Sequence, residues 1–122
     1  MIDKSLFDEL SKINGYMGAV LSDYTGEVLV SDTTKVNKLD ETSMRFNEDF
    51  RNLHEVTNKL GLGHMQVLDI KADNANVIMA CSGVESRIHL HAFAIMEKTG
   101  SNALASMALR DLLTNAMEDL GK

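Results

Sequence analysis

Hydrophobic positions along the chain change period several times, and each change marks an element. Between Asp3 and Asn14, Leu6, Leu10 and Ile13 recur at helical spacing with Phe7 beside them. That spacing predicts a short amphipathic helix. Asp3 or Ser5 can cap its start, and Asn14-Gly15 can end it through a left-handed residue. Tyr16 to Ser22 is apolar on both alternating faces, as an interior strand is. Asp23-Tyr24-Thr25-Gly26 then supplies turn chemistry, and Glu27 to Ser31 is short and β-branched. The two strands read as an antiparallel hairpin, followed by a polar loop from Asp32 to Lys38.

The longest helical pattern runs from Leu39 to Leu60. On a helical wheel Leu39, Phe46, Phe50, Leu53, Thr57 and Leu60 share one face. The acidic and amide residues, with Arg51 and Lys59, take the other side, and Met44 departs from the pattern by sitting among Glu48, Arg51 and Glu55. Gly61 and Gly63 end the helix. His64 to Lys71 mixes apolar and polar residues on both faces, which predicts an edge strand. After a turn at Ala72–Asn76 comes a wholly apolar strand, Val77 to Ser82. A polar connection through Gly83 and Glu85 leads to Arg87–Glu97, long and apolar enough for a central strand. Lys98 to Asn102 turns the chain, with Ser101 or Asn102 as cap of a terminal helix ending at Gly121. In that helix Leu104, Ala108, Leu112 and Met117 fall near one face, extended by Met107, Leu109 and Leu113. The order α-β-β-α-β-β-β-α predicts an α+β fold, a five-stranded antiparallel sheet with helices on both faces.

The chain has 122 residues, which is the length of one domain over residues 1–122 and enough to bury a core without disulfide or structural metal. Its formal charge of -6, without clustered Lys and Arg, argues against a nucleic-acid partner. A lone cysteine, Cys81, excludes an internal disulfide and fits a reducing compartment, so a cytoplasmic location is expected. No apolar stretch is long enough to insert in a membrane.

Candidate chemistry is sparse. Gly61-Leu62-Gly63 lacks the further glycine and the following helix of a phosphate-binding loop, and there is no P-loop or nucleophile elbow. The sequence therefore predicts no catalytic residue and no cofactor. His89 and His91 lie two apart on a strand, so their side chains share a face and could share a metal, with His64 or Cys81 as a third ligand. Two ligands alone do not make a zinc set, so packing residues are the preferred reading and no metal is expected. Cys81, in an apolar run, reads as a small hydrophobe, and His54 as a residue facing solvent or a partner. A long helix with Met44 and arginines outward also fits a partner-binding ridge.

Gly18-Ala19-Val20-Leu21-Ser22-Asp23, two residues, then Gly26-Glu27-Val28-Leu29 resembles the opening hairpin of the roadblock / dynein light chain family. Ile13-Asn14-Gly15-Tyr16-Met17-Gly18 before it, and Leu60-Gly61-Leu62-Gly63 closing the long helix, resemble the family's bacterial members. Gly100 to Leu104 follows the start of the family's last helix only loosely, and His89-Leu90-His91 is not a family hallmark. The resemblance implies a roadblock/profilin-like fold and a small non-enzymatic homodimer, paired through the Leu39–Leu60 helix and the His64–Lys71 strand. It further implies a regulator or adaptor of a small Ras-like GTPase. The docking surface would be the outward helix positions Met44, Arg45, Glu48, Arg51, Asn52 and Glu55. The alternatives are a scaffold subunit that holds a peptide of a larger complex independently of nucleotide, or a small-ligand or metal sensor using His89 and His91.

Overall fold

A single strand, β5 (Leu90–Glu97), organises the sheet, because every residue in it but the last is buried. It lies at the centre of five antiparallel strands ordered β2-β1-β5-β4-β3. The others are β1 (Tyr16–Asp23), β2 (Val28–Asp32), β3 (Val67–Lys71) and β4 (Ala75–Cys81). The computed structural model describes residues 2–83 and 88–121. Arg87 and Glu85, at the expected entry to the last strand, lie outside the described residues. His89 sits just before β5 rather than within it.

Side chains alternate across β5, and the two faces differ in bulk. Leu90, Ala92, Ala94 and Met96 meet α3 (Asn102–Leu120), which contributes Ala105, Leu109, Leu112, Leu113 and Ala116. Small residues on both sides of that contact let helix and sheet interdigitate closely. Phe7 and Leu10 close the end of this core. They come from an N-terminal segment that is a 3-10 turn (Lys4–Phe7) followed by a single α turn, α1 (Asp8–Ser11), instead of one continuous helix. As expected, Asp3 caps it by accepting from the Ser5 amide.

The opposite face presents Phe93 and Ile95 with Val20, Val77 and Met79, and α2 (Leu39–Lys59) lies over it. Here the wheel reading needs correction. The residues of α2 that are buried are Leu39, Ser43, Asn47 and Phe50, while Leu53 and Leu60 are exposed. Ser43 and Asn47 occupy helix-spaced inward positions, but their polarity turns a hydrophobicity-weighted face toward Phe46, Leu53 and Leu60. In α3 the same kind of shift leaves Leu104 and Met107 exposed and buries Ala105 and Ala116.

Strand limits move by small amounts. The edge strand begins at Val67, so His64–Gln66 of the predicted strand is a connection, and β4 starts at Ala75 inside the expected turn. At one crossing only glycine fits. Gly15 has φ +93°, and a Cβ there would lie 2.8 Å from the Gly100 Cα. The start of β1 and the β5–α3 turn thus touch backbone to backbone, joined by the Glu97 amide donating to the Gly15 carbonyl (2.7 Å).

The β1–β2 turn is built on Asp23. Its carboxylate accepts from the Thr25 amide (2.9 Å), the Glu27 amide (3.1 Å) and the Thr25 hydroxyl (2.5 Å), while Gly26 takes φ +100°. Partial burial raises the Asp23 pKa, but the donors from Thr25, Glu27 and Gly26 outweigh it and hold the carboxyl below its usual value. A depressed carboxylate stabilises the fold above the unfolded-state value and loses that contribution as pH falls through the folded value. Asp23→Ala is therefore expected to lower unfolding free energy by roughly 1–2 kcal/mol at pH 7. Urea unfolding at stepped pH should show the gap to wild type closing below about pH 4. A gap independent of pH would mean that the ionised carboxylate does not hold the turn.

Candidate functional site

The outer side of α2 carries two surfaces. Met44, Arg45, Glu48, Arg51, Asn52 and Glu55 are all exposed or nearly so and form one ridge along the helix. Arg45 reaches Asp49 at 3.7 Å on the surface, an exposed i,i+4 pair that contributes little. The ridge abuts the β1–β2 turn. The Arg51 guanidinium lies 5.5 Å from the centre of the Tyr24 ring, and a Cβ on Gly26 would stand 3.3 Å from the Met44 side chain. Between this ridge and the buried face runs an apolar flank, of which the sequence pattern assigns Leu53 and Leu60 to the buried face. Leu53 is 42% exposed and Val56 49%, and Leu60 and Leu62 beyond them reach 68% and 73%. Four large apolar side chains thus stand exposed in one stretch of helix and its exit, and clustered exposed apolar surface marks an interaction site.

Beneath α2, at the junction of β4 and β5, lies a cluster of polar side chains. Cys81 and His91 are cross-strand partners, so they share the α2 face of the sheet, and His89 joins them from two residues upstream. The ligating atoms of the three residues all lie within 4.8 Å of one another, with Cys81 Sγ 3.0 Å from His89 Nε2. The His89 ring stacks on Tyr24 at 5.3 Å between centroids, and His91 stacks on Phe50 at 4.9 Å. Of the two possible third residues, the structure brings in Cys81. His64 instead stacks on His54 and pairs its Nδ1 with the Asn58 amide.

Asn47 orders this cluster, and the sequence pattern does not single it out. Its Nδ2 donates to the Tyr24 carbonyl (2.9 Å), which leaves Oδ1 to accept from His91 Nδ1 (2.5 Å). One amide therefore ties α2, the hairpin turn and β5 together. The signal is present in the helix-spaced run Leu39, Ser43, Asn47, Phe50, which a wheel weighted by hydrophobicity alone discounts.

Burial dominates the electrostatics. It pushes the His91 pKa down to about 4, and the neighbouring His89, His54 and Arg51 add to that while Asp23 opposes it. His89 is lowered for the same reason, by burial first and then by His54, His64 and Arg51. Burial raises the Cys81 thiol, against a hydrogen bond from the Gly83 amide (3.2 Å) that favours the thiolate. His54, expected to face solvent or a partner, is half-buried: its Nδ1 accepts from the Met65 amide (3.1 Å), and burial, with His64 adding to it, depresses its pKa.

No helix among the described residues is long and apolar enough to cross a membrane. No family model and no curated protein matches the sequence. Solved structures do match over almost the whole chain. A roadblock/LC7 domain from Streptomyces avermitilis superposes with a TM-score of 0.80 at 11% identity, covering 94% of this chain and 93% of that one. An MglB described as having a tetrameric arrangement gives 0.79 at 14% identity, covering 93% and 84%. Myxococcus xanthus MglB gives 0.76 at 10% identity, covering 96% and 89%. At such low identity the likeness is one of architecture, and by that architecture the chain has the roadblock/LC7 fold.

Proposed function

We propose that this chain is a non-catalytic homodimeric regulator or adaptor of a small Ras-like GTPase. The observation that carries the reading is the apolar flank of α2, left uncovered by the protomer and continuous with the exit of the helix toward the edge strand β3. An edge strand and an adjacent apolar helix flank are both satisfied by a second copy related by a twofold axis, since a twofold contact pairs a surface with itself. In that arrangement α2 packs on its counterpart through Leu53, Val56 and Leu60, and β3 extends the sheet across two chains. The Met44–Glu55 ridge stays outward on the paired helices, where its mixed charges and single methionine suit a protein partner. A small Ras-like GTPase as that partner follows from the resemblance of the sequence to the roadblock / dynein light chain family.

Two measurements test this. Leu53→Asp with Val56→Asp is expected to convert a dimer to a folded monomer in sedimentation velocity, because both carboxylates would be desolvated in the interface. A wild-type monomer, or a dimer indifferent to the pair, would remove the flank as the interface. Tagged protein incubated with cell lysate should retain a Ras-like GTPase preferentially in the presence of a non-hydrolysable GTP analogue rather than GDP. Met44→Asp with Arg51→Glu should weaken that binding at least tenfold while leaving the dimer intact. A partner held equally with either nucleotide would favour the scaffold reading.

A further inference from the structure

The Cys81–His89–His91 cluster is not used by the dimer or by the proposed docking ridge, and its arrangement has the parts of a metal site. We propose that these three residues bind one borderline-soft divalent cation, zinc in the first instance, with a fourth position open to water or another ligand.

Ligand type and spacing agree with zinc, which takes thiolate and imidazole together. In a tetrahedral site with ordinary zinc–sulfur and zinc–nitrogen bonds, neighbouring ligand atoms stand about 3.4–3.6 Å apart. Here the sulfur and His89 Nε2 are 3.0 Å apart and all three ligand atoms fall within 4.8 Å. The widest of these separations needs to close by no more than about 1.4 Å to reach that geometry. The backbone has already done the rest. Cys81 and His91 are locked opposite each other by the β4–β5 ladder, and His89 is held on Tyr24.

The orientation of His91 is the second observation. Because the Asn47 amide nitrogen is turned to donate to the Tyr24 carbonyl, it is the side-chain oxygen that meets His91. That oxygen requires the proton on Nδ1 and leaves the Nε2 lone pair free, the arrangement by which metal-bound histidines are fixed through their other nitrogen. The Gly83 amide donating to Cys81 Sγ similarly supports a thiolate. Apolar Phe50, stacked on His91, shields the site. His54 is excluded as a ligand, because its Nδ1 is engaged as an acceptor from Met65 and its Nε2 must then carry the proton. Binding is balanced by loss of one proton: Cys81–SH and the cation give Cys81–S⁻–metal and H⁺.

The test uses tag-free full-length protein, stripped with chelator and titrated with zinc or cobalt(II). One equivalent of cobalt should produce a thiolate-to-cobalt charge-transfer band and tetrahedral d–d absorption, and zinc should displace it. Zinc should also raise the unfolding temperature, as any ligand of the folded state does. Cys81→Ser should abolish the charge-transfer band, His89→Ala should weaken zinc binding about tenfold or more, and Asn47→Leu, which removes the oxygen that accepts from His91 Nδ1, should weaken it as well. His64→Ala should bind as wild type. Absence of the band and of zinc-dependent stabilisation would overturn the proposal. So would a band that survives Cys81→Ser, or binding lost equally in His64→Ala. None of these readouts depends on dimerisation or on a GTPase.

Discussion

Everything in this fold is arranged around a strand buried on both sides. The middle of β5 offers alanines to one helix and phenylalanine and isoleucine to the other, so the two helices cannot pack alike. Against Ala92 and Ala94, α3 settles along much of its length and buries five residues. Against Phe93, with Met79 and Val20 beside it, α2 contacts the sheet through its first half only. The last buried residue of α2 is Phe50, and beyond it the helix projects its apolar side chains outward. The bulky face of the central strand thus lies under the first half of α2, and the exposed flank lies beyond it.

A helix held by half its length needs an anchor, and Asn47 supplies it. A buried amide left without partners costs about 1–3 kcal/mol, so a buried asparagine persists where its bonds are made. Here they reach two other elements at once, the Tyr24 carbonyl and the His91 ring. The same two bonds set the height of α2 over the sheet, fix the tautomer of His91 and bring Tyr24 under His89. Helix placement and the composition of the Cys/His cluster are therefore one structural fact.

Much of this is legible in the sequence, and the failures have a common cause. Element order, the central place of β5, the edge character of β3 and the Gly26 turn all come from periodicity and turn chemistry, which are local. The inward face of α2 is misread because Ser43 and Asn47 are polar and the partners of Asn47 lie far along the chain. Cys81 looks inert because an apolar run says nothing of what stands on the neighbouring strand. His89 and His91 can be paired by the two-residue repeat, but their meeting with Cys81 depends on the β4–β5 register, which the Ser82–Leu90 connection hides from a linear reading. Long-range register, not residue preference, is what the chain conceals.

The two halves of α2 therefore face different constraints. The first half cannot be changed without disturbing the hairpin turn and β5, because Leu39, Ser43, Asn47 and Phe50 are committed to the protomer. The second half is tied to the protomer through His54, which accepts from the Met65 amide, but its leucines and valine remain in water in an isolated protomer, at a cost of about 25 cal/mol for each Å² of apolar surface a partner would cover. A helix built this way separates the positions that hold the protomer together from the exposed ones along its own axis. Substitutions at Leu53, Val56 and Leu60 change the exposed flank while leaving the protomer's core intact, whereas those at Asn47 act on the core and on the cluster beneath it.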